Sequence, residues 1–309
     1  MRSRSRRAIV PFWLLLVAAA WAAGYSVAAW RNARIAGERG ANVDIRPDRA
    51  VPGTSERPAS PDVPPVAIPA SPDRPSPGSP GFPCVAIIVD DMGSSMRVAR
   101  DLAAISLPLT WAVIPGQPRT EDVAAFAREK EIPMLIHMPM EPVGNGYDKN
   151  FLIGVKSSDD IIREEIRRVF LLYPWAIGMN NHMGSRATAD RDTMRSVMKA
   201  MKATGKIFID SRTTASSVAV AEAAEAGVPA LASSVFLDHE STPEYMATQR
   251  ERMFRLARKH GRVIAIIHPR PKSLELLRRL AETPSGDVRF VTLPELMHNG
   301  NEPMRRLAP

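Results

Sequence analysis

The chain has 309 residues, 45% of them apolar and 6% aromatic, an ordinary globular composition that excludes a collagen-like, wholly disordered or many-span membrane protein. Its net charge of +8 is concentrated at one end: residues 1–83 carry 11 Lys/Arg against 6 Asp/Glu, and the remainder 30 against 27. The main body therefore lacks the balance that phosphate binding needs, and no nucleic-acid partner is expected. The single cysteine, Cys84, excludes an intrachain disulfide framework and a multi-cysteine zinc site.

Residues 1–7 form a basic arm with Arg2, Arg4, Arg6 and Arg7. The next 23 residues, 8–30, contain no charge. As a helix they would extend roughly 34 Å, enough to cross a bilayer. Trp13, Trp21, Tyr25 and Trp30 suit the interfaces of such a span. A cleaved signal peptide is the alternative, but its apolar region is shorter, and Trp30-Arg31 is a poor exit for cleavage. The arginines before the span place the N-terminus in the cytoplasm, giving a single-pass inner-membrane protein whose main domain is periplasmic. Residues 31–83 read as a disordered tether, with 12 prolines between Ala41 and Pro83.

From Cys84 onward, short β-branched runs alternate with amphipathic helical patterns. Strands are predicted at 85–89, 109–114, 133–136, 176–179, 206–209, 230–237, 263–267 and 288–292. Helices are predicted at 94–105, 120–130 (capped by Thr120), 158–172, 190–204, 217–226, 242–260 (capped by Thr242, with Pro243 first) and 274–281. This alternation implies βαβ units and an α/β fold: a distorted barrel of about seven to eight parallel strands over residues 84–298, with 299–309 as a tail.

The polar residues gather after the predicted strands. Asp90 and Asp91 follow the first, His137 the third, Asn180, Asn181 and His182 the fourth, Asp210 the fifth, Asp238 and His239 the sixth, and His268 the seventh. In a parallel barrel all these ends open on one face, where active sites are built. Imidazoles beside a carboxylate make a site for a divalent metal, typically zinc, which can activate water and polarise a carbonyl. Asp90 and Asp91 would face opposite ways along a continuing strand, but both can face the site where the chain turns at Met92-Gly93. Arg212 could hold an acidic sugar or orient Asp210 by a bidentate pair. His239 suits a second-layer partner or a solvated loop equally. His260, in a last helical turn, and His298, in the tail, are assigned no chemistry.

The segments Val89-Asp90-Asp91-Met92-Gly93, His137-Met138-Pro139-Met140-Glu141, Asn180-Asn181-His182-Met183-Gly184-Ser185, Asp210-Ser211-Arg212-Thr213, Val235-Phe236-Leu237-Asp238 and Ile267-His268-Pro269 resemble, in order, the divergent polysaccharide deacetylases of the YibQ type. These are related to NodB-type carbohydrate esterases. The resemblance implies a distorted (β/α) barrel that removes acetyl groups from amino sugars with one divalent metal. It implies Asp90 as general base, Asp91 and His137 as metal ligands, and His268 as general acid. Glu141 stands where a NodB-type second histidine would be, so His182 is proposed as the third ligand, with Glu141 as the alternative. Asn181, Asp210, Arg212 and Asp238 are the expected substrate contacts, and the substrate is an acetylated polysaccharide or peptidoglycan-type glycan.

Three departures accompany the likeness: Ser233-Ser234 before Val235, Ile267 before His268, and the absence of the arginine-proline element of standard deacetylases. The altered ligand set and that missing arginine motif favour a second reading, a weak or inactive barrel that binds a glycan or an envelope protein. The intact Asp90, Asp91, His137, His182 and His268 favour the enzyme. A metal-free glycosidase would need carboxylates on two faces of a sugar ring, which adjacent Asp90 and Asp91 do not supply.

Overall fold

The computed structural model describes residues 83–144, 152–283 and 285–298. The predicted anchor at 8–30, nearly all of the tether and the tail at 299–309 lie outside the described residues. Strand β1 (Cys84–Met92) is followed by α1 (Met96–Ala103), β2 (Leu109–Val113), α2 (Thr120–Glu129), β3 (Met134–Met140) and α3 (Asp159–Leu172). Then come β4 (Gly178–Met183), a 3-10 turn (Ala187–Ala189), α4 (Arg191–Thr204), β5 (Ile207–Asp210), α5 (Ala219–Ala226), β6 (Ala230–Ala232) and β7 (Val235–Phe236). The chain closes with α6 (Pro243–His260), β8 (Arg262–Ile267), α7 (Pro271–Glu282), β9 (Arg289–Val291) and α8 (Leu293–His298).

Among the described residues the strands form one parallel sheet, ordered β6-β5-β4-β3-β2-β1-β8-β7, with β9 also pairing β1. This is the circular order of a (β/α) barrel, open between β6 and β7, so the sheet is a curled, incompletely closed barrel. The predicted single strand at 230–237 is two strands because the chain changes partner within it. Ser233 N–H donates to the Asp210 carbonyl and Ser234 N–H to the Ile264 carbonyl, at 2.9 and 2.8 Å. Two residues thus carry the chain from β5 to β8 without an intervening helix.

Helix boundaries follow local chemistry. The side chains of Ser95, Ser158, Asp190 and Thr242 accept the backbone N–H three residues on, and Gly205, Gly227 and Gly261 end α4, α5 and α6 in the left-handed region. On α4, Met194, Val197, Met198 and Met201 form the buried stripe that a period of 3.6 requires. Two local predictions change. Thr120 is the first residue of α2, not its cap, and its buried hydroxyl donates to the Ile114 carbonyl at 2.7 Å. Ile161, which helical spacing groups with the apolar Ile162, Ile166, Val169 and Phe170 of the predicted helix 158–172, is exposed.

Strand residues divide into two cores by parity, because successive side chains point to opposite faces. Val85, Ile87 and Val89 pack in the cluster that includes the helices' buried stripes, whereas Ala86 and Ile88 join Leu135, Ile209, Ile264 and Ile266 in the barrel interior. Leu293 and Leu296 of α8 complete that interior near Cys84 and Ala86, at the N-terminal ends of the strands. The opposite end carries the polar groups.

Candidate active site

The interior parity runs on into the site. Ala86 and Ile88 lead to Asp90, Leu135 to His137, Phe236 to Asp238, and Ile264 and Ile266 to His268. Asp90, Asp91, His137, Asn180 and His182 therefore lie within β1, β3 and β4, not after these strands as predicted. Asp91 has the wrong parity and reaches the site by another device. The β1 register shifts between Val89 and Met92, and Asp91 takes a left-handed φ of 57°. A bulge of this kind re-aims a side chain, and it lets two consecutive aspartates serve one cavity.

Asp91, His137 and His182 each offer a ligand atom, all within 4.8 Å of one another. Asp91 Oδ1 lies 3.2 Å from His137 Nε2 and 2.9 Å from His182 Nδ1. Yet this buried oxygen has no hydrogen-bond partner of acceptable geometry. A tetrahedral centre with bonds of about 2.0–2.1 Å would separate its ligand atoms by about 3.3 Å, close to these spacings. The donor set and the orphaned oxygen fit a divalent cation. Burial disfavours the Asp91 charge, but the two imidazoles outweigh it and hold its carboxyl well below the usual range.

Asn180 fixes which histidine nitrogen is offered. Its Nδ2 donates to Asp90 Oδ1 at 2.8 Å and to Ser211 Oγ at 3.2 Å, so its Oδ1, 2.9 Å from His137 Nδ1, acts as acceptor. His137 therefore carries its proton on Nδ1 and presents Nε2 to Asp91, the arrangement typical of a histidine ligand. Burial pushes the Asp90 carboxyl up, against the lowering effect of His137, His268 and Asn180.

His268 stands across from this group, its Nε2 3.9 Å from Asp91 Oδ2. Asp238 Oδ1 faces its Nδ1 at 2.8 Å, while Asp238 Oδ2 accepts the His268 backbone N–H at 2.8 Å and the Ser273 hydroxyl at 2.6 Å. Burial works against imidazolium, but the Asp238 hydrogen bond and charge outweigh it and raise the His268 pKa. The result is a buried carboxylate (Asp90), a raised-pKa imidazole (His268) and a donor set fit for a cation, gathered at one end of the barrel.

The sequence profile of the divergent polysaccharide deacetylases matches residues 87–297. The chain belongs to this family. It is 33% identical to the uncharacterized protein YibQ of Escherichia coli over 220 residues, covering 71% of this chain and 68% of that one. It is 33% identical to an uncharacterized protein of Haemophilus influenzae over 217 residues, covering 70% of this chain and 77% of the relative. The crystal structure of an uncharacterized protein from Agrobacterium tumefaciens has the same fold, with a TM-score of 0.65 at 20% identity over 74% of this chain and 92% of that one.

In this member of the family several predicted substrate contacts are engaged within the protein. Asn181 and Asp210 share the parity of Met179 and Phe208, which face the helices. Asn181 is fully buried, its carboxamide spent on the Ser211 N–H at 2.9 Å and the Met183 carbonyl at 2.7 Å. Buried Asp210 accepts the Arg212 backbone N–H and the Ser217 hydroxyl, both at 2.8 Å. Arg212 meets Asp210 through that N–H, and no bidentate pair forms. Asp238 is buried against His268 and orients its ring. Glu141 stands apart from the cation cradle, held by the Val155 N–H at 2.8 Å and Arg186 at 3.1 Å. His239 faces Tyr245, with ring centroids 6.4 Å apart. From the sequence, Asn180 is placed after the fourth strand without a role, and Ser273 is not reached. The strand-parity rule would have flagged Asn180 beside His182, whereas no local signal marks Ser273.

Proposed function

We propose that this protein is a metal-dependent hydrolase that removes acetyl groups from an envelope glycan. The observation that carries the reading is the orphaned Asp91 Oδ1, set between His137 and His182 with Asp90 and His268 beside it. Asp91, His137 and His182 would hold the divalent ion, zinc being the typical occupant of such a set. Bound there, the ion would polarise the acetyl carbonyl and acidify water.

The protein's own groups supply the proton transfers. Asp90 accepts the proton of the attacking water, held for that task by Asn180. His268, protonated and steadied by Asp238, donates to the departing nitrogen or oxygen as its bond to the acetyl carbon breaks. Acetate and the free amine or alcohol result. Each transfer contributes roughly 10²–10⁴ in rate. The uncharged run at 8–30 supports a single inner-membrane anchor, with the proline-rich tether carrying the domain into the periplasm.

The test is acetate release from acetylated chito-oligomers and peptidoglycan fragments by zinc-loaded protein. Release that stops on chelation and returns on reloading supports the proposal. Tight glycan binding without release from fully loaded protein would replace the enzyme by a glycan-binding barrel.

A further inference from the structure

Arg212 follows β5 in a left-handed conformation, φ 57°. Asp91 and Met183, with φ of 57° and 54°, share this strain, so three of the four non-glycine residues with positive φ among the described residues lie at or beside the ends of β1, β4 and β5. Arginine has no local reason to adopt it; glycine would do so without steric cost. The backbone on either side of Arg212 is pinned. Its own N–H is held by Asp210 Oδ1 at 2.8 Å, Ser211 Oγ receives Asn180 Nδ2 at 3.2 Å, and the Thr213 hydroxyl donates to the Met183 carbonyl at 2.9 Å. Arg212 is thereby anchored against β4, the strand that carries His182.

The side chain itself is uncommitted. The half-buried guanidinium makes no hydrogen bond or ion pair among the described residues. Other cations on segments leaving the same strand ends are engaged: Arg186 by Glu141 at 3.1 Å, Arg270 by the Asp238 carbonyl at 2.8 Å, and Lys272 by the Ser241 carbonyl at 3.0 Å. Asp210 forms no direct pair with the guanidinium: both its oxygens are filled, and burial outweighs the lowering effect of its hydrogen bonds and of the Arg212 charge and pushes its carboxyl up. A half-buried guanidinium without a hydrogen-bond or ion-pair partner among the described residues, on the segment that leaves β5 next to the strand carrying His182, is a ready partner for a planar anion.

We propose that Arg212 is a specificity residue that binds a carboxylate of the glycan, so that the substrate class is acidic acetylated glycans. This inference rests on the deacetylase reading of the site. The planar fork of Arg212 donates two hydrogen bonds to the sugar-borne carboxylate, and the acetyl group is thereby directed toward Asp90 and His268.

The experiment uses two probes: an acetylated glycan oligomer bearing lactyl carboxylates, and the same oligomer with those carboxylates amidated. Calorimetric affinities are measured on zinc-loaded protein. Wild type should prefer the acidic probe roughly tenfold or more, the value of a charge-assisted hydrogen bond. The preference should weaken with added salt. Arg212→Gly suits the left-handed backbone and so preserves folding, and its affinity ratio should fall to about one. Arg212→Lys should keep part of the preference. Equal wild-type affinities, or a preference that survives in Arg212→Gly, would overturn the assignment while leaving the deacetylase reading intact. Binding of neither probe by metal-loaded wild type would overturn both.

Discussion

Asp238 grips His268 from two directions, one carboxylate oxygen 2.8 Å from the ring Nδ1 and the other accepting the His268 backbone N–H at 2.8 Å. The contact fixes both the ring's orientation and its protonation. Asp238 is itself held ionised: burial opposes its charge, but the hydrogen bonds from His268 and Ser273 prevail and lower its pKa.

The first prediction follows from the sign of that coupling. His268 must be protonated to act as donor, so turnover falls as pH rises through its pKa. Asp238 raises that pKa against the effect of burial. Asp238→Asn retains an acceptor but removes the charge, so the basic limb of the pH–rate profile should move to lower pH while the acidic limb stays. A basic limb unmoved by the substitution would show that His268 is not the donor.

The cation cradle gives the second prediction. Wild type should bind one equivalent of zinc, measured by elemental analysis after dialysis. His137→Ala and His182→Ala should each lose most of it, because each removes one of three ligands. Glu141→Ala should keep it, since Glu141 serves the Val155 N–H and Arg186. Retention by His182→Ala together with loss by Glu141→Ala would reverse the ligand assignment.

Most of the fold was legible because strand and helix alternate with clear periodicity and caps. Ser158, Thr242 and Gly261 mark their helix ends where the sequence places them. The split of β6 from β7 was hidden, because it depends on two backbone hydrogen bonds to strands distant in sequence. In the site, residue types at strand ends singled out residues that the fold brings together, such as Asp91, His137 and His182, but not their contacts. Asn181 and Asp210 looked equivalent to Asn180 and Asp90, and only parity against the two cores separates them. Asp91 breaks parity through the bulge, which needs the register of β1 against β2 to be seen. The contact of Asp238 with His268 was not legible either, because it joins residues 30 apart in sequence.

Two glycines give a third prediction, on stability. A Cβ at Gly178 would come within 2.2 Å of the Ile207 carbonyl oxygen, at the first pair of the β4–β5 register. Gly178→Ala should therefore cost about 3 kcal/mol or more in urea unfolding, at the upper end of overpacking penalties. Gly205 has open space around its missing Cβ but a φ of +66°. Gly205→Ala should cost only about 1 kcal/mol, the strain of a left-handed alanine. Similar losses at the two sites would contradict the close approach of β4 to β5.

The fourth prediction separates chemistry from metal binding. Asp90 is 2% exposed, its Oδ1 held by Asn180 at 2.8 Å and its Oδ2 3.6 Å from His137 Nε2. It lies beside the cradle without belonging to the three-residue donor set. Asp90→Asn preserves the shape and lets its amide oxygen accept from Asn180, so the site should keep its zinc. The variant cannot take a proton from water, and turnover on an acetylated glycan should drop roughly 10²–10⁴-fold. The acidic limb of the profile should vanish with it, because burial and its neighbours set the pH at which Asp90 ionises. Zinc content and rate, measured on the same preparation, decide the matter. Loss of zinc in Asp90→Asn would make Asp90 a ligand, and full zinc with an undiminished rate would remove it from the mechanism.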